Sequence, residues 1–255
     1  MSEENLYLKI LEEEQGVVRV TLDRPQKLNA LNLEVLKECC RVFEALDLRE
    51  DVQVIIVDSA GKRAFIAGAD IEQMAGMGPL DFRHYTSYLR RLARVMTSSE
   101  KVFLAAVRGV AYGGGNIMAM NCDLVFATPE SRFGQQEVNL GILGGLPRLM
   151  HLVGARRAWD LVITGRTISA AEAENIGLIT RCVPEKEFDQ VVIGYARNIV
   201  KKSAVAVRLS KALKKIAEKV DLDTAYEYEN ELISLCFDSR DTKKRLSEFV
   251  EGKSK

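Results

Sequence analysis

The 255 residues carry 36 lysines and arginines against 36 aspartates and glutamates, so the formal net charge at neutral pH is zero. Hydrophobic residues make up 47% of the chain, which is typical of a globular protein with a sizeable core, in one large α/β domain or two small ones. The balanced charge argues against a general binder of nucleic acid or membrane surfaces, and no apolar run reaches the roughly 18 residues of a transmembrane helix. The acidic N-terminus has no apolar signal-peptide core, so we expect a cytoplasmic protein.

Strands and helices alternate in the sequence pattern up to about residue 185. Strands are predicted over residues 17–22, 53–58, 103–107 and 123–127, and the second is a near-continuous apolar run typical of burial on both faces. Helices are predicted over 33–46, 81–97, 155–163 and 170–175, and then over 187–202, 203–219, 222–236 and 239–250. We therefore predict an α/β core over residues 1–185 and a helical region over 186–255 that packs continuously with it.

Helix 203–219 carries basic residues opposite its apolar ones, namely Arg208, Lys211, Lys214, Lys215 and Lys219. This pattern favours an amphipathic helix with a solvated basic face, and a phosphate-attracting surface is the alternative.

Cysteines and histidines show no disulfide or metal pattern. The five cysteines form no CxxC pair, so buried reduced thiols are favoured. The two histidines, His84 and His151, lie outside any cluster with metal-ligand spacing, and we predict no metal site.

Three glycine-rich segments each follow a predicted buried strand, at residues 63–74, 107–120 and 133–145. None of them matches GxGxxG, GxxxxGK[ST] or GxSxG, so NAD, ATP and α/β-hydrolase functions are poorly supported. A triple glycine between strand and helix can leave N–H groups free for an oxyanion, and the positive helix start adds to that effect. On its own, the triplet at 113–115 fits a tight turn better than a functional loop.

In this order and spacing, the three segments resemble the crotonase superfamily of enoyl-CoA hydratases and isomerases. The resemblance extends to residues 23–32, 161–173 and 247–251, and covers nearly the whole chain. It implies a ββα-spiral core with a C-terminal helical region that forms trimers or paired trimers. It also implies an acyl-CoA thioester substrate, with coenzyme A as part of the substrate and no further cofactor.

The resemblance implies a role for individual residues. Ala69 and Gly114 match the positions whose backbone N–H groups form the oxyanion hole, and Glu137 matches the second of two catalytic glutamates. Arg63 and Lys27 are candidates for contact with the CoA phosphates. The other residues expected at the CoA and acyl sites are Leu28, Ala30, Leu31, Ala67, Gly68, Asp70, Ile71, Tyr112, Gly113, Ile117 and Gly141.

Several positions depart from the family pattern. Ile117 stands where hydratases carry the first catalytic glutamate, and no carboxylate lies within five residues on either side. Glu72 stands where many relatives place a lysine, and Gly252 and Lys253 depart from the usual basic tail. The loop at 141–148 is shorter than in relatives, which favours an atypical acyl group.

These features predict an enzyme that stabilises a thioester enolate with Glu137 as its one acid/base. Its neighbours Val138, Leu140 and Ile142 are apolar, so desolvation should raise its pKa towards neutrality. A structural role is favoured for the nearby polar residues Tyr112, Asn116, Gln135 and Asn139.

Isomerisation of an enoyl-CoA double bond is the leading reaction. Hydration or dehydration comes next, followed by C–C hydrolysis or decarboxylation. The alternative from a different class is a non-catalytic RNA-binding member of the superfamily, and the zero net charge argues against it.

Overall fold

Two β-sheets organise the computed structural model, which describes residues 5–252 and so leaves Lys253 outside the described residues. The larger sheet has six strands, in the order β1 (Leu8–Glu14), β2 (Val17–Leu22), β3 (Val54–Ser59), β5 (Val102–Val107), β7 (Leu124–Ala127) and β10 (Arg181–Cys182). The smaller sheet has four, in the order β4 (Ala64–Ile66), β6 (Val110–Tyr112), β8 (Arg132–Gly134) and β9 (Thr167–Ser169). Strands β1 and β2, and strands β8 and β9, pair antiparallel, and the other pairings are parallel.

The helices of the described chain lie between and after these strands. The first seven are α1 (Leu33–Asp47), α2 (Ile71–Ala75), α3 (Pro79–Ser98), α4 (Gly114–Asn121), α5 (Leu146–Val153), α6 (Ala155–Thr164) and α7 (Ala170–Asn175). The last four are α8 (Phe188–Val200), α9 (Ala204–Ala217), α10 (Leu222–Asp238) and α11 (Arg240–Val250). Within residues 5–252, no helix has the length and apolar character needed to cross a membrane.

The chain repeats one arrangement three times: a strand of the large sheet, a strand of the small sheet, and then a helix. The three repeats are β3–β4–α2, β5–β6–α4 and β7–β8–α5. This is the ββα spiral that the resemblance implies, and it is followed by the expected helical C-terminal region.

The central strands of the large sheet are buried on both faces. On one face, Ile55 and Phe103 belong to the main core with α1 and α3. On the other face, Ile56 and Leu104 pack in a second core with Phe188 of α8. Because successive side chains point to opposite faces, both positions in the alternation must be apolar. Helix α8 therefore packs directly on the sheet, and the division of the chain at residue 185 stays a prediction.

Every long element predicted from the sequence is found, with ends shifted by at most two residues. Strand β1 was not predicted, because four of its seven residues are exposed and the strand has no clear apolar alternation. The three-residue strands of the small sheet are too short to show a period, and helix α5 lies in glycine- and proline-containing sequence.

The solvated basic face predicted for helix α9 is wrong at Lys211. The Lys211 side chain is only 9% exposed, and its ammonium donates a hydrogen bond to the Asp123 carboxylate at 2.7 Å. It also donates to the backbone carbonyl oxygens of Met96 and Lys101. These acceptors compensate the buried charge of Lys211, so the lysine holds α9 against the core.

Helix α4 packs so closely on strand β4 that only glycine fits at position 115. A Cβ on Gly115 would lie 2.1 Å from the carbonyl oxygen of Ile66.

Gly115→Ala should therefore lower the free energy of unfolding by about 3 kcal/mol, because the helix must move away from the strand. Gly194 in α8 has open space around it, and Gly194→Ala should raise that free energy by about 0.5–1 kcal/mol. Urea unfolding measures both variants, and a Gly115→Ala protein as stable as wild type would contradict this packing.

Candidate active site

Two glycine-bearing turns converge at one edge of the small sheet. Strands β4 and β6 are parallel neighbours, so their carboxyl ends lie side by side. The chain turns at Gly68 after β4 and at Gly113 after β6, with φ angles of 118° and 48° that favour glycine. A Cβ placed on Gly114 would lie 3.9 Å from the backbone nitrogen of Ala69. The two turns therefore bring the backbone of Ala69 next to the first residue of α4.

The backbone N–H groups of Ala69 and Gly114 are available to an external acceptor. Neither group donates a hydrogen bond to another part of the described chain. Gly114 is the first residue of α4, so the positive end of the helix lies at this point. A carbonyl oxygen that gains negative charge is stabilised by such a pair of donors.

Glu137 is confined between two glycines. Its Oε1 lies 3.2 Å from the position that a Cβ on Gly113 would occupy, and 2.8 Å from the corresponding position on Gly144. Any side chain at either position would press on the carboxylate. Gly144, which was not among the predicted site residues, therefore belongs to the site as well.

Two buried amides orient the Glu137 carboxylate. Gln135 donates from Nε2 to Oε1 of Glu137 at 2.7 Å, and Asn116 donates from Nδ2 to Oε1 of Gln135 at 2.9 Å. Asn116 and Gln135 are 2% and 1% exposed, so bulk water does not compete for these bonds. Within residues 5–252, Oε2 of Glu137 is buried without a hydrogen-bond partner. This second oxygen is therefore able to accept a proton.

The pKa of Glu137 is raised, as its apolar neighbours in the sequence predict. Burial is the main cause, because removal from water disfavours the ionised carboxylate. The hydrogen bond from Gln135 favours the ionised form and opposes part of the shift. A carboxyl group with a raised pKa is suited to accept a proton and give it back near neutral pH.

An apolar cavity of about 370 Å³ lies at these donors and at Glu137. Among the described residues that line it, Glu137 is the only carboxylate, and Ile117 forms part of the wall. Tyr85 also lines the cavity, but its hydroxyl donates to the carbonyl oxygen of Leu31 at 3.0 Å. The other apolar lining comes from α2, α3 and the segment 140–143, through Met74, Phe82, Leu89, Leu140, Ile142 and Leu143.

The structure brings most of the predicted site residues together. Those that line the cavity are Ala67, Gly68, Ala69, Ile71, Tyr112, Gly113, Gly114, Ile117 and Glu137.

Leu31 and Asp70 lie outside the cavity lining and make contacts within the fold, and their predicted substrate contacts stay predictions. Leu31 has no exposed surface and lies beneath Gly114, so it supports the oxyanion turn from below. The Asp70 carboxylate accepts hydrogen bonds from the Arg24 guanidinium at 2.7 Å and from the backbone N–H of Gln73. Asp70 is therefore the N-cap of α2, and its charge is directed at Arg24 instead of the cavity.

The remaining residues predicted to contact CoA lie outside the cavity lining, and their roles stay predictions. The Lys27 ammonium is not free, because it pairs with the Glu72 carboxylate at 2.6 Å. Arg63 is exposed and has no side-chain partner in the described part of the chain. The carbonyl oxygen of Leu28 accepts the N–H of Ala67 at 3.1 Å, which ties the two segments together. Ala30 lies two residues after Leu28, and Gly141 lies elsewhere in the chain, where it ends the short 3₁₀ helix Glu137–Leu140 with a φ of 68°.

The sequence prediction missed the contribution of α3 to the cavity. Phe82, Tyr85 and Leu89 of this helix all line it. The helical spacing of these residues is visible in the sequence. However, the sequence pattern of an apolar helix face is the same whether that face packs in the core or lines a cavity.

The fold and the site define this protein as an enzyme of the crotonase type. Residues 12–255 match the family model for enoyl-CoA hydratase/isomerase, and the chain belongs to this family.

Known relatives cover nearly the whole chain. A short-chain-enoyl-CoA hydratase of Clostridium acetobutylicum is 39% identical over 245 residues, which cover 95% of this chain and 94% of that protein. A crotonyl-CoA hydratase of Syntrophomonas wolfei is 36% identical over 254 residues, which cover 98% and 96% of the two chains. The crystal structure of an enoyl-CoA hydratase from Bacillus anthracis matches with a TM-score of 0.94 at 31% identity, covering 97% of each chain.

The raised pKa of Glu137 predicts a pH effect on stability. Because the pKa of Glu137 is higher in the folded chain than in the unfolded chain, the folded state binds more protons at pH values between the two pKa values. The free energy of unfolding therefore falls as the pH rises through that range. Glu137→Gln removes the effect. The Tm of the variant minus that of wild type should therefore increase between about pH 4 and pH 8.

Thermal unfolding over this pH series measures the difference, with Glu130→Gln as the control at an exposed position. The control should show no such trend. If the Tm of Glu137→Gln minus that of wild type stays constant or falls with rising pH, the Glu137 carboxyl group is not held in a site where burial raises its pKa.

Proposed function

We propose that this enzyme moves the double bond of a 3-enoyl-CoA to position 2, with Glu137 as its single acid/base. One observation carries the proposal: Glu137 is the only carboxylate among the described residues of the cavity lining, and Ile117 is part of the same wall. A reaction with one proton-transferring group fits this site better than one that needs two.

The proposed reaction uses the two N–H donors and the carboxylate together. The thioester carbonyl oxygen accepts hydrogen bonds from Ala69 and Gly114. Glu137 removes a proton from C2, and the electrons move to the carbonyl oxygen to give a dienolate that the two donors stabilise. The same carboxyl group returns the proton to C4, so the double bond moves from C3–C4 to C2–C3 with no net change in atoms.

Coenzyme A enters this reaction as part of the substrate, and we propose no further cofactor. The acyl group occupies the apolar cavity, and the CoA moiety extends along the segments 27–31 and 63–71. Arg63 is the exposed cation available to its phosphates. The apolar lining supports a hydrocarbon acyl chain, since a charged acyl group would find no counter-charge there.

Hydration of a 2-enoyl-CoA is the second candidate, because the relatives from C. acetobutylicum and S. wolfei are named as hydratases. Water addition needs a water molecule held over C3, and Ile117 offers it no hydrogen-bond acceptor. An unpaired polar reactant costs about 1–3 kcal/mol, and each 1.4 kcal/mol is about tenfold in rate. The site therefore favours isomerisation.

We also propose that the chain assembles as a trimer or a pair of trimers through α10 and α11. These helices expose large apolar side chains, which a partner would remove from water. The most exposed are Leu222, Ile233, Leu235, Phe237, Phe249 and Val250.

The oxyanion role of Gly114 can be tested by removing its N–H group. Gly114→Pro deletes the donor at the first position of α4, where proline suits a helix, and should lower kcat/KM by about 10²–10³-fold. Gly114→Ala is the matched control, because it adds a Cβ close to Leu31 but keeps the N–H. Steady-state kinetics should show a much smaller loss for the alanine variant. Equal losses would mean that crowding, and not the missing donor, explains the effect.

The role of Ile117 separates the two candidate reactions. Wild type should isomerise a 3-enoyl-CoA at least about tenfold faster than it hydrates crotonyl-CoA. Ile117→Glu should raise the hydration rate because it supplies an acceptor for water, whereas Ile117→Leu should leave that rate unchanged. Chromatography of the acyl-CoA products measures both reactions. Fast hydration by wild type without isomerisation at any chain length would reject the isomerase proposal in favour of the hydratase.

The Lys27–Glu72 ion pair predicts that loss of the Glu72 charge lowers the KM for acyl-CoA. Glu72 places a negative charge beside the proposed CoA segment and holds Lys27 at 2.6 Å. Glu72→Gln should free the lysine and lower the KM for acyl-CoA by about two- to fivefold at low salt, with a smaller effect at high salt. Glu130→Gln is the control for charge removal elsewhere. An unchanged or higher KM in Glu72→Gln at low salt would place the CoA phosphates away from this pair.

A further inference from the structure

A second cavity, of about 500 Å³, lies between α3 and α9 and shares no lining residue with the candidate active site. Its acidic lining residues within the described chain are Asp123 and Glu218. Its basic lining residues are more numerous: Arg90, Arg94, Arg148, Lys211, Lys214, Lys215 and Lys219. This concentration of positive charge occurs in a chain whose formal net charge is zero.

The two carboxylates are already used within the fold. Asp123 accepts hydrogen bonds from Lys211 at 2.7 Å and from the backbone N–H of Phe103 at 2.9 Å. Glu218 pairs with Arg148 at 3.2 Å. These contacts compensate Lys211 and Arg148, and leave little negative charge for the other cations.

Five cations of the cavity have no carboxylate within hydrogen-bonding distance. Arg90, Arg94 and Lys219 have no side-chain partner anywhere in residues 5–252. Lys215 donates to a serine hydroxyl at 3.0 Å, and Lys214 lies 3.7 Å from a carboxylate that is already paired. Like charges gathered in one cavity repel each other, and their summed field attracts an anion.

We propose that this cavity binds a compact phosphate anion with several negative charges, of the pyrophosphate or triphosphate class. The guanidinium groups of Arg90 and Arg94 offer paired donors that match phosphate oxygens, and the lysines add point charges. The rest of the chain carries an acidic excess and so offers no extended basic track, which favours a small anion over a nucleic acid.

The test measures binding of pyrophosphate to the full-length protein at low ionic strength. Isothermal calorimetry and the rise in Tm should report binding to wild type, because a ligand of the folded state stabilises it. The double variant Arg90→Gln/Arg94→Gln should bind about tenfold more weakly or not at all. Arg90 and Arg94 form no ion pair within residues 5–252, so the variant should fold normally.

The matched control is Lys186→Gln/Lys202→Gln, which removes the same charge from exposed residues outside the cavity. It should bind pyrophosphate like wild type, and saturating coenzyme A should leave that binding unchanged.

Four kinds of outcome would overturn the proposal. The first is non-specific binding, seen as equal binding by the arginine variant or as an equal Tm shift from sulfate at matched ionic strength. The second is displacement of pyrophosphate by coenzyme A, which would assign the binding to the active site. The third is displacement by a short oligoribonucleotide at lower concentration, which would make the surface a nucleic-acid site. The fourth is a lower sedimentation coefficient of the arginine variant, which would assign the cations to a contact between copies of the chain.

Discussion

The close approach of helix α4 to strand β4 is the constraint on which the active site depends. At Gly115 the helix backbone meets the carbonyl oxygen of Ile66 with no room for a side chain. This contact fixes the start of α4 beside the turn that follows β4, so the N–H groups of Gly114 and Ala69 lie together. The proposed oxyanion site is thus a consequence of backbone packing, and it needs no polar side chain.

Around this backbone site, electrostatics decides which chemistry is favoured. Glu137 is placed where burial raises its pKa, and the amides of Gln135 and Asn116 hold one of its oxygens while the other stays unpaired. With Ile117 in the wall, the lining contributed by residues 5–252 holds no second charge that could stabilise a water molecule. We therefore propose that the family fold supplies enolate stabilisation and that one side chain in the wall, Ile117, favours isomerisation over the addition of water.

The sequence predicted the structure best where a hydrophobic pattern extends over many residues, or where glycine determines the backbone conformation. The long buried strands and the long amphipathic helices were predicted to within two residues, and the turns at Gly68 and Gly113 follow from glycine chemistry. Tertiary contacts decided the rest. The sequence predicts that Lys211 is a solvated residue of a basic face, and only the structure shows that it is bonded to Asp123. Likewise, the contact of Lys27 with Glu72 cannot be predicted from the sequence, since neither pairing produces a recognisable local spacing.

Exchange of hydrogen next to the thioester tests the central claim most directly. Butyryl-CoA incubated with the enzyme in deuterated water and followed by mass spectrometry reports enolate formation without requiring a double bond or added water. Wild type and Ile117→Glu should both incorporate deuterium at C2, and Glu137→Gln should lose this exchange together with its turnover. Exchange that persists in Glu137→Gln would show that another group forms the enolate, and would contradict the assignment of Glu137 as the single acid/base.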